Sequence, residues 1–113
     1  MSAQALIDIV VNQKASFEVT FVVKDNGVLL DLTNYTAAAK FKTDLTASDT
    51  SATAFTTAIS NTAGGEITIS LTPEQTSKLN NPRYVYDVAI TNTLDNYKTR
   101  IVEGVMKVSG GVT

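Results

Sequence analysis

The chain has no cysteine, no histidine and no tryptophan in its 113 residues, and each absence removes a class of chemistry. Without cysteine there is no thiol nucleophile, no thiolate zinc site and no disulfide framework of the kind that staples small secreted domains. Without histidine the commonest general base and the usual ligand of zinc, copper and iron are missing. No serine–histidine relay can then be built, however many serines and threonines are present. Charge is scarce as well: Asp, Glu, Lys and Arg make up 18% of residues, against ~25% in ordinary soluble domains. The net charge is −2, so there is no basic footprint for nucleic acid or anionic lipid. No stretch approaches the ~20 apolar residues of a membrane span. Met1-Ser2-Ala3-Gln4 has no basic start, and Asp8 interrupts the only early apolar run, so no leader peptide is expected. The expectation is a domain of a soluble compartment, without cofactor or metal and without a nucleic-acid, membrane or small-molecule partner.

What fills the space is threonine, serine, asparagine and alanine, arranged with period 2. Small polar groups are cheap to desolvate, and interfaces are depleted in Lys and Glu; strands also favour Thr for its own sake. Ala5 to Val11 is rich in Ile and Val and reads as a first strand. From Phe17 to Lys24, residues Phe17, Val19, Phe21 and Val23 alternate with Glu18, Thr20, Val22 and Lys24, the mark of a half-buried strand. Asp25-Asn26-Gly27 follows, ahead of Val28-Leu29-Leu30, and Asn-Gly between apolar runs predicts a hairpin with a type I′ turn. Asp31 to Tyr35 reads as a corner that sets Leu32 and Tyr35 on the core edge. Thr36 to Thr43 is a strand with Ala37, Ala39 and Phe41 inward and Lys40 and Lys42 outward. Asp44 to Thr53 is a loop, and Ala54 to Ser60 a strand with Phe55, Thr57 and Ile59 on one side.

A turn at Asn61 to Gly65 leads into Glu66 to Leu71, with Ile67, Ile69 and Leu71 inward. Thr72-Pro73-Glu74-Gln75 starts a short helix, with Thr at the N-cap, Pro at the first helical position and Gln completing a capping box; Asn80-Asn81-Pro82 ends it. Tyr84 to Asn92 and Lys98 to Ser109 are the last two strands, joined through Thr93 to Tyr97. Their apolar faces, Tyr84/Tyr86/Val88/Ile90 and Val102/Gly104/Met106/Val108, belong on one side. Two registers satisfy this, with either Tyr86 or Val88 opposite Gly104. The first lets a tyrosine ring cover the bare glycine backbone, but it also opposes Asp87 and Glu103, a destabilising like-charge pair. It therefore asks for a cation nearby: Arg100, Lys107 or an arginine from a neighbouring chain.

Strands at this spacing predict an all-β domain, an immunoglobulin-like β-sandwich of about seven or eight antiparallel strands with one short helix, in a single unit over residues 1–113. Chemistry is hard to place on it. Asp8, Asp31, Asp87 and Glu103 lie in or beside strands, yet paired-carboxylate hydrolysis needs two carboxylates facing across a cleft, and alternation puts Asp87 and Glu103 on solvated faces. Calcium wants oxygen ligands, but no D-x-D-x-D-G run exists. Gly64-Gly65 precedes a strand and has no lysine beside it, so it is no phosphate loop. Tyr84 and Tyr86 are accounted for by core packing, and Tyr97 closes the last hairpin. The reading is of a non-enzymatic domain that binds other proteins. Gly110, Gly111, Val112 and Thr113, a terminal segment of glycines and small residues, are its candidate protein-contact residues.

Across nearly the whole length the order of short segments resembles that of a known group. The segments are Ala5-Leu6-Ile7-Asp8-Ile9, Ala15 to Phe21, Asp31-Leu32-Thr33-Asn34-Tyr35-Thr36-Ala37, Gly65 to Thr72, Tyr84-Val85-Tyr86-Asp87-Val88, Arg100 to Gly104 and the tail Val108 to Thr113. This order is similar to that of short virion structural proteins of tailed bacteriophages, notably those of cyanobacteria, and to the amino-terminal domain of siphophage baseplate upper proteins. The resemblance implies a β-sandwich in the virion, made in the host cytoplasm, that attaches fibres or decorations through contacts with other virion proteins and with copies of itself. A tail, baseplate or fibre-attachment component is the expectation. The alternatives are a capsid decoration (cement) protein and, from another class, a module that binds host glycans.

Overall fold

Along the chain run β1 (Ala5–Leu6), β2 (Ile9–Asn12), β3 (Phe17–Val22), β4 (Lys24–Asp25), β5 (Val28–Leu29), β6 (Tyr35–Lys42), β7 (Thr53–Ala54), β8 (Thr56–Asn61), β9 (Glu66–Leu71), the helix α1 (Pro73–Ser77), β10 (Arg83–Asn92) and β11 (Lys98–Ser109). This computed structural model describes residues 5–25, 27–44, 46 and 52–110. Asn26 of the expected turn, most of the 44–53 loop and Gly111, Val112 and Thr113 of the tail lie outside them.

The larger sheet has the order β1-β11-β10-β6-β7, with β2 continuing along β11 beyond β1; the smaller is β3-β9-β8. The core lies between their inner faces, where Ile67 and Ile69 of β9 and Val88 of β10 and Met106 of β11 are fully buried. The chain is therefore an all-β sandwich. Its β11-β10-β6 and β3-β9-β8 triplets follow the G-F-C and B-E-D orders of the immunoglobulin arrangement. The corner before β10 follows it too. The Tyr84 hydroxyl accepts from the backbone N–H groups of Asn80 and Asn81, at 3.2 and 3.3 Å, so the tyrosine ties the incoming connection to the sheet. No disulfide is needed, because rings fill the middle. Phe55 meets Phe41 at 5.1 Å and Tyr86 at 6.2 Å, and Phe41 meets Tyr84 edge-on at 5.3 Å, arrangements that add about 0.5–1.5 kcal/mol per pair to area burial.

The alternation assigned to β6, β9 and β10 holds. The register of β10 on β11 is the one that sets Tyr86 against Gly104. Both capping-box bonds form around Thr72 and Gln75, at 2.9 and 3.2 Å, and the buried Thr76 hydroxyl donates to Ala15 O at 2.9 Å, anchoring the helix to the β2–β3 connection.

Four local expectations change. The first strand is not antiparallel and not continuous: it breaks at Ile7-Asp8, and both pieces run parallel to β11. The 54–60 strand belongs to two sheets. Thr53–Ala54 pairs with β6, Phe55 N–H donates to Ala39 O at 3.0 Å, and from Thr56 the chain pairs with β9. The Phe55 ring thus sits where the chain crosses between layers. The strand from Phe17 ends at Val22, after which β4 and β5 form a separate two-stranded ribbon. Finally β11 carries a bulge at Ile101: Val88 faces Val102 but Ala89 faces Arg100. Ile101 and Val102 consequently both turn inward, each 5% exposed, as an extra residue on one strand requires.

Candidate interaction surfaces

On the outer face of the larger sheet, Asp87 and Glu103 stand directly opposed, and Arg100 sits between them. Its Nε lies 3.3 Å from Asp87 Oδ2 and its Nη1 lies 3.4 Å from Glu103 Oε1. The bulge makes this possible. By shifting the register one residue, it brings Arg100 beside Ala89 on the same face as the carboxylates instead of turning it into the core. The cation sought for the like-charge pair is thus Arg100; Lys107 lies further along, opposite Arg83. The two carboxylates are engaged by a guanidinium and lie side by side on one open face rather than across a cleft. The shallow groove around them has a volume of about 440 Å³ and is walled by Lys40, Lys42, Asp87, Lys98, Arg100 and Glu103. Among the described residues no group of three or more acidic side chains converges as a cation site.

A second surface lies along the edge shared by β1 and β3. Ala5, Ile7, Val22 and Val102 line a largely apolar cleft of about 260 Å³, together with Lys24, which pairs with Leu29 in the β4–β5 ribbon. Leu6 is 81% exposed, Val22 52% and Val28 68%. The strands at this edge, β1 and β2 in one sheet and β3 in the other, are each paired on one side only among the described residues. The sequence carried a signal for this surface that strand assignment alone passes over. Leu6, Ile7, Ile9, Val10 and Val11 are apolar on both parities, and Val22 breaks the alternation of β3; period 2 cannot turn all of them inward.

The break between β1 and β2 is built by three residues. Asp8 Oδ1 accepts the Val105 N–H at 3.1 Å, standing in for a backbone carbonyl. The Ile7 carbonyl turns over Gly104 and accepts the Tyr86 hydroxyl at 2.5 Å. A Cβ at Gly104 would lie 2.1 Å from Ile7 O, so the glycine is required by this backbone approach, a stronger demand than the ring cover expected of Tyr86. Burial, and then the nearby Asp8 carboxylate, push the Tyr86 phenol up to about 12. Asp8 is therefore a structural carboxylate. Asp31 is another: the Thr33 hydroxyl and N–H both donate to its Oδ1 and hold its carboxyl below the ordinary value, fixing the corner that delivers Leu32 to the core.

Of the expected contact residues, Gly110 is described and is exposed just past β11; Gly111, Val112 and Thr113 are outside the described residues. Tyr84 and Tyr86 are buried, and Tyr97 is 66% exposed at the last turn, beside Leu94 at 77%. No helix among the described residues is long and apolar enough to cross a membrane. Comparison of the sequence with family models and with curated proteins gives no match.

Proposed function

We propose that the domain is a structural component of a tailed-phage virion, in the tail, baseplate or fibre attachment, and that it acts by binding other virion proteins. The observation that carries the protein-binding part is the apolar edge. Ile7 and Val22 are exposed around one cleft, and Leu6 is exposed at the next position of the same edge strand, where β1 and β3 are each paired on one side only among the described residues. Contiguous exposed apolar surface marks interaction sites, and an open strand edge is a template for pairing with another chain. The virion assignment rests on the order of sequence segments that resembles phage structural proteins. Capsid decoration would use the same edge on different neighbours.

The test is assembly in vitro. Leu6→Lys together with Val22→Glu changes only exposed side chains, so the variant keeps the wild-type melting temperature. Mixed with the other structural proteins of the particle, wild type enters the large species and the variant does not. A variant that co-assembles like wild type removes the edge from the account. A wild type that joins no phage structural protein, but is retained on a glycan array, replaces the reading with host-glycan binding. Deleting Gly110 to Thr113 leaves folding intact and weakens incorporation if the tail is also a contact.

A further inference from the structure

The two outer faces of the sandwich differ in charge. Every charged residue of β6, β10 and β11 lies on the outward side of its strand: Lys40, Lys42, Arg83, Lys98, Arg100 and Lys107, with Asp87 and Glu103. Six of the nine basic residues of a chain with net charge −2 thus sit on this side of the three strands, against two carboxylates on the same strands. Arg83 and Lys107 are even direct cross-strand neighbours, an arrangement that destabilises an isolated sheet. Arg100 bridges the two carboxylates of these strands.

The opposite face inverts this. Strands β3, β8 and β9 contain no lysine or arginine, and their only charged residues are Glu18 and Glu66. Between them runs a row of hydroxyls that bond to one another: Thr20 to Thr68 at 2.8 Å and Thr68 to Ser60 at 2.9 Å. A flat surface of small groups whose hydrogen bonds are already made loses little when water leaves it.

The geometry points to self-association by stacking of unlike faces, in which the cationic β6-β10-β11 face of one copy covers the hydroxyl face, with Glu18 and Glu66, of the next. This deepens the protein-binding reading above and rests on it. Like faces repel, so two copies gain electrostatically only in the unlike arrangement. Such a contact is heterologous and therefore repeats, closing a ring or extending a stack. A single-stranded nucleic acid fits the cationic face less well. Tyr35, Phe41, Tyr84 and Tyr86 turn toward the core, leaving no outward aromatic on these strands to stack on a base, and Asp87 and Glu103 interrupt the cationic row. A face of three six-residue strands covers roughly 300 Å² in projection, below the ~800 Å² per partner of a stable complex. One contact is therefore weak and salt-sensitive.

Sedimentation of the whole chain tests this. Wild type grows with concentration at low salt and returns to monomer at 0.5 M salt (roughly a 4 Å Debye length). Glu18→Lys/Glu66→Lys blocks one face and Lys98→Glu/Lys107→Glu blocks the other. Each variant alone is monomeric with an unchanged circular dichroism spectrum. Their equimolar mixture associates again, because one native pair of faces remains and the two substituted faces carry opposite added charges. Wild type that stays monomeric at low salt overturns the proposal, as does a mixture that fails to associate or a blocked variant that associates like wild type. A single-stranded oligonucleotide that binds the cationic face more tightly than a second copy does also overturns it, in favour of nucleic-acid binding. If wild type is monomeric alone yet enters the assembly with other virion proteins, stacking fails and the proposed function stands; if it does neither, both fall.

Discussion

The final strand β11 has a different kind of neighbour on each side. On one side β10 pairs with it antiparallel through a short turn, over most of its length. On the other, β1 and β2 reach it in parallel from the far end of the chain and are broken at Ile7-Asp8. The first side is a local hairpin whose partners are close in sequence. The second brings together residues almost a hundred positions apart, as in the bond between Val105 N–H and Asp8. Local pairing leaves its trace in alternation and turn chemistry; distant pairing must be held by particular side chains.

The two sides can be separated by mutation. Val102→Asp on the inner face of β11 puts a charge where the native side chain is 5% exposed. It is expected to cost several kcal/mol and to abolish the cooperative urea transition. Gly104→Ala strikes the junction of the two sides, since its Cβ meets the Ile7 carbonyl. We expect a loss of about 2–4 kcal/mol, with faster hydrogen exchange at the Ile7 and Val105 amides than across β10. An unchanged exchange pattern would show that β1 does not depend on the close approach.

Tyr86→Phe removes the hydroxyl that links β10 to Ile7, for about 1–2 kcal/mol at neutral pH. It should also change the alkaline limb. The phenol is neutral in the folded state to about 12, whereas an unfolded tyrosine ionises near 10. Stability from this group is therefore full below pH ~10 and falls as pH rises from there through ~12. Wild type should lose about 2–3 kcal/mol more than the phenylalanine variant across that window, measured by denaturant unfolding at each pH. Parallel curves for the two proteins would mean that the phenol is not held neutral. At the far edge, Leu6→Asp falls on a side chain 81% exposed and should move stability by less than about 0.5 kcal/mol.

The same contrast explains what could be read from the sequence. The inward sets of β6, β9 and β10 and the Thr72–Gln75 cap follow from spacing, because each is decided within a few residues; the Tyr86–Gly104 pairing is one of the two registers that spacing allows. The like-charge pair Asp87–Glu103 announced a missing cation, and Arg100 supplies it. What could not be read was the parallel edge, which joins distant segments, the crossing of the chain between sheets at Phe55 and the bulge at Ile101. The bulge had a faint signal in the apolar doublet Ile101-Val102, which alternation cannot turn inward together. The charge division between the faces was also written in the sequence, but it becomes visible only once register says which strands are neighbours.

The parallel edge has a mechanical consequence. Because β1 and β2 run in the same direction as β11, the chain enters the sheet at one end of that ladder and leaves it at the other. A pull on the two ends in opposite directions slides these strands along one another and loads their bonds together, in shear, whereas a pull on a hairpin such as β10–β11 opens its bonds one after another. A part that transmits tension between other components is better served by the first geometry, and in this domain the strands carrying it flank the apolar edge through which a neighbour would be held.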